Sequence, residues 1–409
     1  MSLNNTPSSE RIHIGIFGRR NAGKSSIINA LTGQDLAIVS DVLGTTTDPV
    51  PKAMELLPLG PVVMIDTPGL DDNGELGSQR VRKAYQILNK TDIAVLVIDA
   101  SLGMTDEDLD IMDKIQKKGI PWVVVKNKVD LCGFQTRPAK CDNERTENTF
   151  LLGETNSIEV STVTGQNIHE LKELIARQVP ETDCQKRIVG DLLSPLDFVI
   201  LVIPIDSAAP KGRLILPQQQ TIRDILESGA AAIAVKDTEL KETLASLGKA
   251  PRLIITDSQS FAKVSADIPE GIPLTSFSIL FARYKGSLAT AVNGAYALDK
   301  LKDGDHILIC EGCTHHRQCE DIGTVKLPRW IDRHTGKKLT YSFTSGTEFP
   351  LDLSPYTLII HCGGCTLNER EMQFRLRCAE DQGVPMTNYG TAIAHMNGIL
   401  SRSLEPFGL

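Results

Sequence analysis

The sequence predicts an α/β protein of several domains, and two observations carry that prediction. Over residues 1–180, short apolar runs alternate with helix-like stretches, as in a parallel sheet with crossover helices. The chain has 409 residues, which is too long for one core, because domains usually hold ~100–200 residues. We therefore expect roughly two to four domains, the first ending near residue 180.

The first domain is expected to open with a strand at Ile12–Phe17, a glycine-rich loop and a helix at Ser25–Leu31. The later strands should be buried on both faces, since each is a short, almost continuous apolar run. These strands and the closing helix are expected at Val62–Ile65, Ile93–Ile98, Trp122–Val125 and Ile168–Gln178.

A polar segment without periodicity, Glu181–Gly190, is expected to link the first domain to a smaller α/β domain over residues 190–280. Strands and helices should alternate there, at Asp197–Ile205, Gln218–Glu227, Ala231–Val235, Glu239–Leu247 and Leu253–Thr256. The third domain, residues 281–409, is expected to begin with a single connecting helix over Phe281–Lys302.

Composition excludes several classes of protein. The net charge is −8, which argues against nucleic acid as the main partner, because phosphate binding needs clustered Lys and Arg. No run of ~18 apolar residues is present, so we expect no membrane span. Met1–Glu10 lacks the apolar core of a signal peptide. We therefore expect a cytoplasmic protein whose 9 cysteines are reduced and able to bind metal.

A phosphate-binding loop is indicated by Gly18, Gly23, Lys24 and Ser25, whose spacing matches the Walker A pattern. Lys24 should reach the β- and γ-phosphates, and the Ser25 hydroxyl should bind Mg²⁺. The helix N-terminus that follows adds positive potential. The expected nucleotide contacts from this segment are Asn21, Ala22, Gly23, Lys24, Ser25 and Ser26.

Two further motifs should complete the phosphate end of the site. Asp66-Thr-Pro-Gly69 directly follows a predicted strand. Asp66 would hold Mg²⁺ through water, and the Gly69 N–H would sense the γ-phosphate. Thr46, within Gly44–Asp48, lies where a switch threonine should complete the Mg²⁺ shell. The catalytic residues expected from these motifs are Lys24, Asp66, Gly69 and Thr46.

Guanine recognition is predicted from two segments. Asn127, Lys128 and Asp130 follow a predicted strand, and a carboxylate at Asp130 can accept from guanine N1 and N2, which adenine cannot offer. Ser161 and Thr162 end another strand and would lie behind the guanine ring. The order and separation of all five motifs resemble the GTPase domain of the Era/MnmE type, which implies a P-loop domain that converts GTP to GDP and phosphate.

One departure from the common GTPase pattern is Leu70, which stands where many GTPases carry a water-orienting Gln. It resembles the GTPases with a hydrophobic residue there, several of which use K⁺ in place of an arginine finger. Asn21 matches the residue that binds potassium in that subgroup; the alternative is a side chain that caps the loop. The resemblance implies slow hydrolysis stimulated by K⁺.

A metal site is predicted from Cys313, Cys362 and Cys365, which follow two brief apolar runs. If those runs are neighbouring parallel strands, both cysteine loops lie at the carboxyl end of one sheet, where such sheets bind ligands. Thiolates suit zinc or an iron–sulfur cluster, and residue chemistry leaves both open. Further candidate ligands are His315, His316, His361, Cys310 and Cys319.

The three-part organisation then resembles the HydF family, the maturation GTPases of [FeFe]-hydrogenase. The resemblance rests on the GTPase motifs, a middle segment at Ala209–Pro217 and a C-terminal Cys-x-His…His-Cys-x-x-Cys pattern. It implies a [4Fe-4S] cluster on Cys313, Cys362 and Cys365, with His361 or His315 as the fourth ligand. The middle domain would be a dimerisation domain, giving a homodimer, and the third domain would hold the cluster.

The family resemblance also implies partners and a role. Such a protein receives a di-iron precursor from two radical-SAM maturases and delivers it to the apo-hydrogenase. Two other hypotheses remain from the residues themselves. One is a ribosome- or tRNA-associated GTPase with a zinc-binding C-terminal module, and the other is an iron–sulfur carrier whose GTPase is vestigial.

Overall fold

The structure is a computed structural model, and it describes residues 7–33, 50–69, 86–131, 156–179, 186–205, 214–312, 321–346 and 348–409. The chain divides into two compact units, Met1–Thr182 and Asp183–Leu409. No helix within the described ranges is long and apolar enough to cross a membrane.

The first unit is built on a six-stranded sheet in the order β2-β3-β1-β4-β5-β6. All strand pairs are parallel except β2 with β3, which is antiparallel. The strands are β1 Ile12–Phe17, β2 Val50–Leu56, β3 Gly60–Asp66, β4 Ile93–Asp99, β5 Trp122–Asn127 and β6 Ser157–Glu159, and the helices are α1 Lys24–Thr32, α2 Asp106–Lys117 and α3 Ile168–Ala176.

Successive residues of the central strands enter two different cores, which explains why these strands read as continuous apolar runs. Ile14 and Ile16 belong to the core that includes residues of α1 and α3, whereas Phe17 belongs to the core that includes α2. The predicted strands were found, but β2 and α2 were not anticipated. β2 lies at the edge of the sheet and contains both polar and apolar residues. It could not be recognised from composition, and its pairing with β3 identifies it as a strand.

The second unit contains two four-stranded parallel sheets, in the orders β10-β9-β7-β8 and β12-β11-β13-β14. Its strands are β7 Phe198–Val202, β8 Ala231–Val235, β9 Leu253–Thr256, β10 Leu274–Ser276, β11 His306–Glu311, β12 Thr340–Ser345, β13 Leu358–His361 and β14 Met386–Asn388. Its helices are α4 Leu216–Glu227, α5 Leu240–Ser246, α6 Phe261–Asp267, α7 Phe277–Lys285, α8 Leu288–Tyr296, α9 Leu327–Thr335, α10 Glu369–Asp381, α11 Tyr389–Met396 and α12 Leu400–Leu404.

The single helix expected over Phe281–Lys302 is wrong. The chain forms α7 and α8 instead, and the break lies at Gly286, which leaves the helical conformation. Ser287 then caps α8, because its hydroxyl accepts a hydrogen bond from the backbone N–H of Thr290 at 3.2 Å. A serine in this position competes with the helix backbone, so it starts a new helix here.

The two sheets of the second unit are joined by shared packing. Leu400 and Leu404 of α12 lie in the same core as Ile200 and Leu274 of the first sheet. The end of the chain therefore returns to the earlier sheet, which a linear division of the sequence did not anticipate.

Candidate functional site

The phosphate loop between β1 and α1 is shaped by glycines at positions where a side chain would collide. Gly18 has φ +141°, and a Cβ there would lie 2.2 Å from the carbonyl oxygen of Val97. Gly23 has φ +94°, and its Cβ would lie 2.2 Å from Nδ2 of Asn127. Asn21 has φ 59°, a left-handed conformation that Asn tolerates better than most residues. These residues hold the loop in a sharp turn ahead of the helix N-terminus.

Lys24 and Ser25 occupy the first turn of α1. The Lys24 ammonium donates to the carbonyl oxygens of Gly18 at 3.0 Å and Arg19 at 2.8 Å, so it lies across its own loop. The Ser25 hydroxyl donates to Oδ2 of Asp66 at 2.9 Å. The two residues expected around Mg²⁺ are thus brought together from separate elements.

The second oxygen of Asp66 is suited to a cation. Asp66 is buried, and its Oδ1 has no hydrogen-bond partner among the described residues. Burial raises the pKa of this carboxyl, while the Ser25 hydroxyl and the Lys24 charge oppose that shift. A buried carboxylate oxygen without a partner is costly, and a divalent ion would relieve that cost. The residues present therefore fit Mg²⁺.

The guanine-recognition segment is connected directly to the phosphate loop. Asn127 is buried, and its Nδ2 donates to the carbonyl oxygen of Ala22 at 3.1 Å. Lys128 has φ 67°, and its ammonium pairs with Oδ2 of Asp99 at 2.7 Å. Ser161 donates to Oδ1 of Asp130 at 2.6 Å. The serine thus orients the carboxylate that is expected to read guanine.

Some predicted site residues have no structural description. Thr46, Leu70, Cys313 and His315 lie outside the described residues. Gly69 and Thr162 are described: Gly69 follows β3 at the end of its segment, and Thr162 lies in the turn after β6.

The second candidate site lies at the carboxyl end of the β12-β11-β13-β14 sheet. As predicted, β11 and β13 are neighbouring parallel strands, with Cys310 opposite His361. The sulfur of Cys362 accepts hydrogen bonds from the backbone N–H groups of Gly312 at 3.0 Å and Gly364 at 3.4 Å. Such bonds favour a thiolate, and Gly312 immediately precedes Cys313 in the sequence.

Burial disfavours the thiolate form of both described cysteines of the motif when no metal is bound. Burial raises the pKa of Cys362 to about 11, although the Gly312 and Gly364 amides oppose the shift. Burial also raises the pKa of Cys365, and the Lys285 charge lowers it. A bound metal would displace these protons. The donor set, two thiols with sulfur-directed amides, fits a thiolate-bound metal centre.

Lys285 is a contributor that the sequence analysis missed. It ends α7 and is buried, and its ammonium donates to the carbonyl oxygens of Cys365 at 3.1 Å and Leu367 at 2.9 Å. A buried ammonium is expensive unless its protons are bonded. Lys285 therefore fixes the cysteine loop and places a positive charge beside it.

His361 is held by a fully buried arginine, Arg375 of α10. Arg375 Nη1 donates to His361 Nε2 at 2.9 Å, and His361 Nδ1 lies 2.7 Å from the carbonyl oxygen of Cys362. Because arginine only donates, Nε2 must be the acceptor and Nδ1 must carry the proton. Glu371 pairs with the same guanidinium at 2.9 Å, and the carbonyl oxygen of Gly346 accepts from it at 2.9 Å.

Both ring nitrogens of His361 are thus engaged. Ligation of a metal through Nε2 would require it to leave Arg375. In this structure His361 supports the cysteine loop through the carbonyl oxygen of Cys362, and its role as a fourth ligand stays a prediction.

Glu311, at the end of β11, is a buried acid that the sequence analysis also passed over. It accepts a hydrogen bond from the Tyr389 hydroxyl at 3.2 Å. Burial is the main cause of the raised pKa of Cys362, and the Glu311 charge adds to it. No spacing rule in the sequence links Glu311 with Tyr389, since 78 positions separate them.

The buried imidazole of His361 should make the free energy of unfolding depend on pH. Burial foremost, and then the Arg375 charge, lowers the pKa of His361 from 6.5 to about 3. Between these two values the unfolded chain therefore binds more protons than the folded chain. The stabilisation that comes from neutral His361 is complete above pH 6.5 and is lost as the pH falls toward 3. The loss is at most ~1.4 kcal/mol per pH unit.

The test is equilibrium unfolding of the cluster-free chain at two pH values within that window. His361→Asn, which keeps a donor and an acceptor, should flatten this dependence relative to the parent chain. An unchanged slope in His361→Asn would contradict the assignment.

Comparison with protein families identifies three regions. Residues 13–128 match a model described as 50S ribosome-binding GTPase. Residues 188–286 match the hydrogen maturase F dimerization domain, and residues 289–406 match the hydrogen maturase F tetramerization domain. The sequence analysis expected a homodimer, and the match to a tetramerization domain indicates assembly beyond a dimer.

The curated relatives GTPase Der and MnmE each match less than half of this chain. GTPase Der of Microcystis aeruginosa is 34% identical over 175 residues, covering 41% of this chain and 38% of its own length. The tRNA modification GTPase MnmE of Aquifex aeolicus is 34% identical over 171 residues, covering 42% of this chain and 35% of its own. The chain thus spans less than two fifths of the length of these relatives.

Among solved structures, Era of Aquifex aeolicus is 22% identical and covers 58% of this chain and 98% of its own, with a TM-score of 0.36. The sheet order, the phosphate loop and the family matches agree on a GTPase domain of the P-loop type. The two maturase models together match just over half of the chain. The chain therefore belongs to the hydrogen maturase F (HydF) family.

Proposed function

We propose that this chain is a cytoplasmic, GTP-hydrolysing scaffold of [FeFe]-hydrogenase maturation. In this role it carries a [4Fe-4S] cluster and delivers a di-iron precursor to the apo-hydrogenase. The observation that carries the proposal is the Cys362 loop: two backbone N–H groups point at its sulfur within a tetramerization-type domain of this family. The proposed domains are residues 1–180, 190–280 and 281–409.

The cluster would be held by Cys313, Cys362 and Cys365, and when bound it would supply a redox-active, anionic iron site with one open iron. The surrounding charge supports this. Lys285 lies against the loop, and α10 begins at Glu369, a few residues after Cys365. The positive end of a helix dipole stabilises negative charge nearby. His315 remains a candidate for the fourth ligand, and His361 is the weaker one.

The nucleotide site would bind GTP through the loop and guanine segments. Lys24 would exchange its loop carbonyls for the β- and γ-phosphates, while Ser25 and Thr46 bind Mg²⁺ and Asp66 acts through water. Gly69 would report the γ-phosphate. Guanine would be bound by Asn127, Lys128, Asp130, Ser161 and Thr162. Asn21 would bind K⁺, a role that its exposed position in the turn of the loop permits.

GTP binding would order the switch loops around Asp48 and Asp66–Leu70, and hydrolysis would release them, as in other switch loops. We propose that this change alters contacts with the two radical-SAM maturases rather than driving chemistry at the cluster. The dimerization and tetramerization domains supply the homo-oligomer on which those contacts form.

The direct test is hydrogenase activation with purified components under anaerobic conditions. The cluster-loaded chain, both maturases, their substrates, GTP and apo-hydrogenase should together evolve hydrogen, and omission of this chain should abolish it. Cluster-loaded, GTP-hydrolysing protein that gives no activation would refute the scaffold role.

The ribosome- or tRNA-associated alternative is not favoured. Its support is confined to the first domain, where the matching model and the Der and MnmE relatives lie. The remaining matched residues belong to hydrogen maturase F models.

A further inference from the structure

Two histidines and an aspartate converge at a place remote in sequence from the cysteine motif. Nε2 of His334 lies 3.0 Å from Oδ1 of Asp299, and Nε2 of His395 lies 2.9 Å from Oδ2 of the same carboxylate. One ligand atom from each residue lies within 4.8 Å of the others. From sequence alone, both histidines were expected to have ordinary structural roles, because they lie 61 positions apart and nothing local brings them together.

The geometry suits a small divalent ion. Zinc binds imidazole nitrogen and carboxylate oxygen at ~2.0–2.2 Å, so neighbouring ligands of a tetrahedral ion lie ~3.3 Å apart. The two observed nitrogen–oxygen distances, 3.0 and 2.9 Å, run to different oxygens of the one carboxylate. The three ligand atoms lie within 4.8 Å of one another, so small side-chain rotations would bring them onto one ion. The two imidazole rings stand edge to face with centroids 5.6 Å apart.

The backbone around the three residues is fixed by packing. Asp299 lies between the buried residues Leu298 and Leu301, and Ile331 and Ile393 anchor α9 and α11 in the same core. The ligand-bearing segments are thus held in place independently of any ion. Such preorganisation lowers the cost of binding.

Local electrostatics also favours a cation. His334 lies in the last turn of α9, and His395 lies in the last turn of α11. The carbonyl ends of both helices carry partial negative charge, which adds to that of the Asp299 carboxylate. The Asp299 side chain is 53% exposed, so an ion has access from solvent and could retain water ligands.

We propose that Asp299, His334 and His395 form a second metal site, which binds Zn²⁺ or a similar borderline divalent ion through two imidazoles and one carboxylate. The ion would link α9 and α11 to the segment that leads into β11. Ligands of this kind prefer zinc, nickel or copper to Mg²⁺. The site is separate from the thiolate centre, and the proposal does not depend on the maturation role.

The test uses the full chain with its thiol site loaded, so that added zinc does not enter the cysteine loop. Zinc is titrated against a chromophoric competitor, and the bound ion is then examined by X-ray absorption at the zinc edge, which iron does not obscure. We expect one zinc per chain with nitrogen and oxygen neighbours. His334→Gln and His395→Gln should each weaken binding by about tenfold or more, because each removes a direct ligand.

Glutamine retains a donor toward Asp299, so both variants should fold, and melting curves without zinc check this. His306→Gln is the matched control, since His306 belongs to the same unit and hydrogen-bonds to Ser342 instead. Zinc with sulfur neighbours only, or nitrogen-bound zinc whose affinity is unchanged in both variants, would overturn the proposal. If the thiol site cannot be loaded, a second, sulfur-bound zinc will appear without affecting this result.

Discussion

Replacing Cys362 with serine is expected to cut the iron and sulfide retained per chain by at least about tenfold. A serine hydroxyl does not ionise near neutral pH and binds iron far less well than a thiolate. The Gly312 and Gly364 amides, which point at this sulfur, would then face a neutral oxygen. Even loss of an outer-shell partner of a metal ligand costs 10–100-fold in affinity or activity, so loss of the ligand itself should cost more.

Cys378→Ser is the matched control for this experiment. Cys378 is a partly buried residue of α10 that packs against the core on one side of the same sheet. Its replacement perturbs a similar volume at a residue outside the cysteine motif. Equal iron retention in Cys362→Ser and Cys378→Ser would remove Cys362 from the ligand set. Both variants should be compared by thermal unfolding without iron, which separates lost ligation from lost folding.

Replacing Lys24 with alanine is expected to lower GTP turnover by about 10²–10³-fold, the usual cost of deleting one preorganised electrostatic group. In this structure the ammonium lies over the loop, bonded to the carbonyl oxygens of Gly18 and Arg19. It is therefore positioned for phosphates before they arrive. The same substitution should also remove most of the thermal stabilisation by GTP, since binding to the folded state raises apparent stability.

Lys126→Ala is the control for Lys24→Ala, because Lys126 lies in the same unit and makes a partly exposed ion pair with Glu159. Its turnover should match that of the parent chain. Unchanged turnover in Lys24→Ala would support the vestigial-GTPase hypothesis. Running the parent in K⁺ and then in Na⁺ tests the potassium proposal in the same assay, and equal rates would reject it.

Local sequence was sufficient to predict the phosphate-binding loop. Glycines at fixed separation, followed by Lys24 and Ser25, identify the loop from local sequence, although the distant residues Val97 and Asn127 pack against it. The parallel pairing of β11 with β13 could also be predicted, because each short apolar run ends in a cysteine loop. The loop residues then meet at the carboxyl edge of one sheet.

The supporting residues of the thiolate site could not be predicted, because tertiary packing alone brings them there. Lys285 reaches a carbonyl oxygen 80 positions away. Arg375 lies 14 positions after His361, and nothing in its helix marks it as fully buried. Its burial depends on simultaneous bonds to an imidazole, a carboxylate and a carbonyl oxygen. Charged residues in a helix pattern are ordinarily interpreted as solvent-facing.

The central claim is that a GTPase chain of this family carries an iron–sulfur cluster on its C-terminal cysteines. Its most direct test is EPR of the anaerobically reconstituted, reduced chain, together with iron and sulfide analysis. We expect about four iron and four sulfide per chain with an S = 1/2 signal, which Cys362→Ser loses. Stoichiometric zinc in the cysteine site, with no EPR signal after reconstitution, would contradict it.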